Sequence, residues 1–407
     1  MSINIYVSLH ICSMTYHMMI GKPPEDVIDR ESEVGRILKA MTDKKANANF
    51  ALIGHRRIGK STILHKVKRE LEKGNHAAGC CIPVYVDLGE YRYSPVELAE
   101  VLTEKLTRAY AKGLPKASQL LSKITSSLGQ LAEIRRLRAR FLAKLDSTGQ
   151  PAIEIDPYIK DRDSKYDRAL DNFFEYANRI SEASKRRVVI MIDEFQHVTE
   201  YVKYDGLENI LDFLRAVLER RKNVSFIVSG SRIHYLRNIL GEGGSPLFGH
   251  FAIIEVKPLA KEYAVDLFLK SNPRATAQDC EDAYALVDGH PFYLVMLAEA
   301  QTEGESVKET YRRILTSTTG ALYLYVNYIV TEDLPNYKST NYRRVLESLA
   351  SGEKTISELA KDADIRLTHL PRLLTKLIEY DLVYKEGGRY FIADRVVRDY
   401  FKMRSQP

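Results

Sequence analysis

The residues with the most explicit chemistry lie in one short run, Gly54-His55-Arg56-Arg57-Ile58-Gly59-Lys60-Ser61-Thr62. Its GxxxxGK[ST] spacing is that of a phosphate cradle, and its flanks are the ones such a cradle requires: apolar FALI before it and STILHKVKREL after it. The glycines let the backbone turn so that loop N–H groups, across Gly54, Arg57, Ile58 and Gly59, face an anion, and the N-terminus of the following helix adds partial positive charge. Lys60 reaches the β- and γ-phosphates, Ser61 offers its hydroxyl to Mg²⁺, and Thr62 adds a hydroxyl near the α-phosphate. An incidental Gly-rich turn is the bland alternative, and the agreement of motif with context argues against it.

VVIMIDEF (188–195) supplies a second half: an apolar strand ending in Asp193-Glu194. A strand buried in a parallel sheet delivers side chains at its carboxyl end, where ligands bind in doubly wound folds. There Asp193 would hold the magnesium shell and Glu194 would orient or deprotonate a water for attack on the γ-phosphate. The next strand, VSFIVSG, runs into Ser229-Gly230-Ser231-Arg232. Arg232 is a candidate charge stabiliser there, and Ser229 or Ser231 a hydrogen-bonding sensor of the γ-phosphate. The alternative is that Ser231 caps a helix and Arg232 is solvated.

Groups of this kind must be held by buried strands, and the surrounding sequence supplies them. IPVYVDL (82–88), VVIMID and VSFIVSG are near-continuously apolar and alternate with helical stretches such as DRALDNFFEYANRIS and LENILDFLRAVLERR. That alternation predicts an α/β fold, a parallel sheet with helices on both faces. Val34, Ile37, Leu38 and Met41 predict a helix ahead of the phosphate loop, and Ser94-Pro95 starts another. Between 115 and 165 the pattern breaks, and this stretch reads as an inserted subregion. It holds a helix-like AEIRRLRARFLAKL, basic from Ile134 to Leu145, and a strand-like AIEID. The basic helix is either a phosphate-backbone contact or a solvated face. After VKPLAKEYAVDLFL the strands give way to helices as far as about Val330.

Composition bounds the rest. The 407 residues, 45% of them hydrophobic, suit two or three globular domains and argue against a disordered or disulfide-stapled chain. A formal charge of +6 names no partner, and it admits nucleic acid only where the positive charge is concentrated. Cys12, Cys80, Cys81 and Cys280 lack zinc-site spacing, which suggests a reducing, cytoplasmic setting. The first twenty residues carry no Asp, Glu, Lys or Arg. They lack the basic start of a signal peptide and are too interrupted by polar residues for a membrane helix, so no membrane role is expected. Residues 1–23 read as a disordered extension, with translation starting near Met18 or Met19.

Taken together, IDRESEV (28–34), GHRRIGKS, VVIMIDEF, IVSGSR, VKPL (256–259) and Gly289-His290-Pro291 resemble the archaeal members of the STAND/AAA-like P-loop ATPases. The resemblance runs from about Pro24 to the C-terminus, leaving out the inserted subregion. It implies that Arg30 and Glu31 lie near the adenine and that Pro291 belongs to a helical lid over the nucleotide. Asp29 stands where the family usually has Gly, and His290 reads as a surface residue of the lid. The guanine-reading Asn-Lys-x-Asp tetrad is absent, which with the resemblance favours ATP over GTP.

From residue 341 onward the sequence predicts three short helices and a hairpin around Gly387-Gly388, an arrangement similar to a winged helix-turn-helix module. If that module binds DNA, its third helix would present Thr368, His369, Arg372 and Lys376 to the major groove, with Arg389 in the wing. Glu379, Asp381 and Glu386 dilute this face and leave a protein-contact role open. The expected organisation is an ATPase core over 24–255, a lid over 256–335 and a winged-helix domain over 336–407. The expected function is a Mg-ATP-hydrolysing switch coupled to DNA. The alternative is a regulatory scaffold in which ATP or ADP is a structural ligand and the terminal domain meets a protein partner or a second copy of the chain.

Overall fold

Alternation within the strands decides the architecture. In β3 (Arg187–Asp193), Val188, Ile190 and Ile192 pack into one apolar cluster while Val189 and Met191 pack into another, so both faces of the strand are buried. The structure, a computed structural model, describes residues 28–43, 45–73, 80–89, 93–111, 166–241, 243–332 and 340–404. The helix and strand expected near 134–145 and 152–156, and the extension at 1–23, lie outside these residues.

With β1 (Phe50–Ile53), β2 (Cys81–Asp87), β4 (Val224–Gly230) and β5 (Ala252–Glu255), β3 forms a five-stranded sheet in the order β2-β3-β4-β1-β5. Every pairing in it is parallel. Helices α1 (Glu31–Thr42) and α2 (Lys60–Lys73) cover one face. The other carries α3 (Pro95–Ala111), α4 (Tyr166–Ser184), α5 (Ile210–Arg220) and α6 (Ile233–Gly241). The helical spacing read from sequence holds in α1, whose buried residues are Val34, Ile37, Leu38 and Met41. Ser94 opens α3 as expected, in a reciprocal cap with Glu97. Because the strands are parallel, the loops after β1, β2, β3 and β4 all emerge at one edge.

After β5 come five helices among the described residues, α7 (Lys261–Ser271), α8 (Ala277–Val287), α9 (Pro291–Ala300), α10 (Val307–Thr316) and α11 (Ala321–Glu332). The terminal module follows: α12 (Thr340–Ala350), β6 (Lys354–Thr355), α13 (Ile356–Asp362), α14 (Leu370–Glu379), β7 (Tyr384–Glu386), β8 (Arg389–Phe391) and α15 (Arg395–Arg404). Its antiparallel sheet has the order β6-β8-β7, and the hairpin turns through Gly387 and Gly388 at positive φ. One apolar cluster runs from Leu259 in front of α7 to Phe401 in α15, so the lid helices and the terminal module share a core. No helix of the described residues is long and apolar enough to cross a membrane.

The basic run Lys185-Arg186-Arg187 at the start of β3 has a structural task. Arg187 donates to the carbonyls of Ala40 and Met41 at 3.1 and 3.2 Å and to those of Asp43 and Ala46, so it closes the carboxyl end of α1. Arg186 donates to the Cys81 carbonyl at 2.7 Å. Arg187→Ala is expected to cost about 2 kcal/mol, in the range of hydrogen bonds to charged groups. Arg187→Lys should recover only part of it, since an ammonium cannot span four carbonyls. Chemical denaturation of the two variants measures both.

Candidate functional site

Three ionisable side chains meet at the carboxyl edge of the sheet. Lys60 opens α2 at 4% exposure, and its ammonium donates to the Gly54 and His55 carbonyls at 2.9 and 2.8 Å. Burial pulls its pKa below the usual lysine range, while Glu194 and Asp193 pull the other way. The loop bends through Arg57 and Gly59, both at positive φ. It also passes so close to the core that a Cβ on Gly54 would lie 2.6 Å from the Val256 carbonyl. A buried cation held by two neutral carbonyls, at the start of a helix, is a donor set suited to phosphate.

Asp193 is 1% exposed. In register, Ile192 pairs with Val228, so Asp193 emerges beside Ser229, and Ser229 donates its hydroxyl to Oδ1. Tyr85 of β2 donates to Oδ2 at 3.2 Å. Glu194 follows with a left-handed backbone, φ 49°. Its Oε2 accepts the Ser231 N–H at 3.3 Å, the Ser231 hydroxyl at 2.9 Å and the Gln196 amide. Burial alone would raise the Glu194 carboxyl, but the Lys60 charge with the Gln196 and Ser231 hydrogen bonds holds it below the usual range. At neutral pH it is a carboxylate, the form a general base requires.

The sequence left Ser231 between a sensor and a helix cap. Its hydroxyl goes to Glu194, and the first N–H groups of α6 are taken instead by Asp381 of the terminal module. Arg232 lies with its guanidinium 4.5 Å from the Tyr380 ring. Sequence reading missed Gln196 altogether, since nothing in the periodicity of FQHVTEYVK distinguishes it. It missed Asp381 as a partner of the core because 148 residues separate it from Ile233.

Arg30 is buried and donates to the carbonyls of Ile58 at 3.3 Å and Lys257 at 2.8 Å, tying the phosphate loop to the chain leaving β5. Asp29 and Arg30 both have positive φ, 52° and 143°, a backbone in which glycine is at ease. Glu31 is directed outward to Lys66 at 3.0 Å. Pro291 opens α9 in the first turn, where its missing N–H costs nothing. The preceding His290 is buried and not the lid surface residue that its sequence context suggests: Nε2 lies 3.1 Å from the Arg56 carbonyl, and burial pushes its pKa down to about 3. Arg57 sits between the rings of Phe292 and Tyr325, 4.2 and 4.6 Å from their centroids.

In the terminal module, Arg372 and Lys376 lie on the exposed side of α14, opposite buried Leu370, Leu374 and Leu377. Thr368 and His369 stand exposed just ahead of that helix instead of on it. Lys376 pairs with Glu379, and Arg389 lies 3.3 Å from Glu353 and 3.6 Å from Glu358. Among the described residues no group of three or more His, Cys, Asp and Glu is placed to hold a metal.

Comparison with known proteins agrees with this geometry. An uncharacterized protein of Methanocaldococcus jannaschii is 24% identical over 258 residues, 58% of this chain and 54% of that one, so the chain spans about half the length of this relative. The fold is similar to that of the Walker-type ATPase PABY2304 of Pyrococcus abyssi, with a TM-score of 0.63, 21% identity and coverage of 93% of this chain and 97% of that one. It is also similar to the ORC2 protein of Aeropyrum pernix in its ADPNP-ADP complexes, with a TM-score of 0.57, 11% identity and coverage of 95% and 98%. Residues 27–297, well over half of the chain, match the model of an ATPase domain found predominantly in Archaea. The chain therefore belongs to this archaeal ATPase family.

Proposed function

We propose that the chain is a nucleotide-dependent switch in which hydrolysis at the Lys60–Asp193–Glu194 edge is relayed to the terminal module, and that this module is a winged helix that contacts duplex DNA. The observation that supports the relay is the Ser231–Arg232 junction: Ser231 holds the Glu194 carboxylate while its neighbour Arg232 lies on Tyr380 of the module. In this reading Lys60 and the loop N–H groups from Gly54 to Gly59 draw the phosphates in, with Thr62 near the α-phosphate. Glu194 orients the attacking water and accepts its proton. Arg232 leaves the Tyr380 ring to stabilise charge developing on the γ-phosphate. Arg30 and Glu31 serve the adenine side, and Pro291 sets the lid. Ser61 and Asp193 would hold Mg²⁺, which when bound would neutralise negative charge on the phosphates. A cytoplasmic setting belongs to the same reading.

The DNA contact draws on the outward face of α14, with Arg372 and Lys376, and on Thr368 and His369 at its start. The ion pairs of Lys376 and Arg389 favour a second reading, in which the module meets an acidic protein surface or a second copy of the chain and nucleotide is a structural ligand.

Lys60→Ala is expected to abolish ATP binding in a titration with a fluorescent analogue. Glu194→Gln should bind the analogue normally and release phosphate at least about 100-fold more slowly, the usual scale of a lost general base. Phosphate release by Glu194→Gln at the wild-type rate would rule out its role. For DNA, duplex affinity should fall steeply with salt, and an Arg372→Ala/Lys376→Ala double variant should flatten that slope by about two. A flat salt response in the wild type would leave the second reading.

A further inference from the structure

Asp381 follows α14 in the terminal module, yet its carboxylate is directed at the ATPase core. Oδ2 accepts the Ile233 N–H at 2.6 Å and Oδ1 the His234 N–H at 3.3 Å, the first two donors of α6. A helix start leaves such donors open, and a side chain at the N-cap position normally takes them. In α6 that position belongs to Arg232, which cannot accept, and the Ser231 hydroxyl is committed to Glu194. The cap therefore comes from another part of the fold. Asp381 is held there by its own left-handed backbone, φ 55°, and by its N–H to the Ile378 carbonyl at 2.9 Å.

Only Arg232 separates the capped turn from Ser231, and Ser231 gives Glu194 both an N–H and a hydroxyl. We propose that Asp381 is a positioning residue for ATP hydrolysis: seated on the start of α6, it fixes Ser231 and through it the Glu194 carboxylate, so that turnover depends on the terminal module being docked. This deepens, and rests on, the reading of Glu194 as the group that activates water. A partner that lifts the module off α6 would slow hydrolysis without touching the phosphate loop.

The surroundings of Asp381 also give it a pH signature. Around it lie His55 and Arg56 of the phosphate loop, Lys60 at the start of α2, Arg232 and His234 of the α6 start, Tyr325 of α11, and Tyr380, Tyr384 and Asp394 of the module. Burial pushes its carboxyl up to about 6, against the two N–H bonds, Arg56 and Arg232, which favour the charged form. The sign follows from linkage. Between the ordinary value of 3.8 and about 6 the folded state holds the proton that the unfolded state has lost, so this group's contribution to stability falls as pH rises through that window. Protonation also turns one acceptor oxygen into a hydroxyl. Turnover should therefore fall as pH drops through about 6, in the opposite direction to the stability effect.

The test is steady-state ATPase activity of the full chain between about pH 5 and 8, for wild type and Asp381→Asn, with the Kd of a non-hydrolysable ATP analogue and the melting temperature measured alongside. Asn keeps the shape but presents an amide donor to one of the two N–H groups. The expected result at pH 7.5 is a kcat about tenfold lower or more, from misplacement of the base, with analogue affinity within about twofold of wild type. The acid limb near 6 should be present in wild type and absent in Asp381→Asn. Unchanged kcat overturns the proposal. So does parallel loss of turnover and analogue binding, which would make Asp381 a fold residue only. Glu194→Gln measured in parallel separates the two claims. Normal turnover there removes the base assignment, whereas normal turnover in Asp381→Asn beside an inactive Glu194→Gln removes only the positioning role.

Discussion

Everything at the carboxyl edge of the sheet follows from taking Lys60, Asp193 and Glu194 out of water together. An isolated ion in an interior costs several kcal/mol, so each needs compensation. Each has it from neutral dipoles as well as from the opposite charge: two loop carbonyls for Lys60, Ser229 and Tyr85 for Asp193, Ser231 and Gln196 for Glu194. That requirement explains the end of β4. Its interior positions pack against both faces, but the chain leaves it as Ser229-Gly230-Ser231, where Asp193 at the end of β3 and Glu194 just after it take their donors. A Cβ on Gly230 between them would meet the Gln196 amide oxygen and a Leu236 methyl, so a side chain there would displace Gln196, a donor to Glu194.

The parts of this arrangement legible in the sequence are those with local signatures. The phosphate loop is a motif, β2, β3 and β4 are apolar on both faces, and α1 shows its buried stripe at helical spacing. β5 was not legible because AIIE is four residues long, lies at the sheet edge and is only partly buried. The 3₁₀ segment Phe195–Lys203, the helix α6 and the final helix α15 were not singled out either. What the sequence could not carry is pairing across the chain. Arg187 reads as one of three basic residues until α1 is seen to end against it. Asp381 reads as a charge diluting a basic face until α6 is seen to start against it. His290 looks exposed beside Gly289 and Pro291, and only the packing of the lid on the phosphate loop buries it.

That packing makes the loop and the C-terminal half one mechanical system. Arg57 is gripped between Phe292 of the lid and Tyr325 of α11, His290 contacts the Arg56 carbonyl, and Tyr293 donates to Asp394 of the module at 2.6 Å. Each cation–π contact is worth on the order of 0.5–2 kcal/mol. A few of them together match the 1–3 kcal/mol over which coupled sites usually act. Because α7 to α11 and the module share a core, a shift of those helices would carry the module with it.

Two carboxylates flank the same strand-to-helix junction, and their environments push them in opposite directions. Glu194 has Lys60 beside it and is held below the usual carboxylate range; Asp381 also feels the Lys60 charge, but there burial dominates. The catalytic edge is therefore locked by mutual charge, whereas the seat of the module rests on a carboxylate that is costly to keep ionised. Arg56 within the phosphate loop and Arg232 ahead of α6 both favour the ionised form of Asp381, so the seat depends on where these two charges lie. A phosphate that drew them away would remove favourable charge from Asp381. In the proposed switch the same guanidinium groups would be drawn both to Asp381, which holds the module, and to the nucleotide.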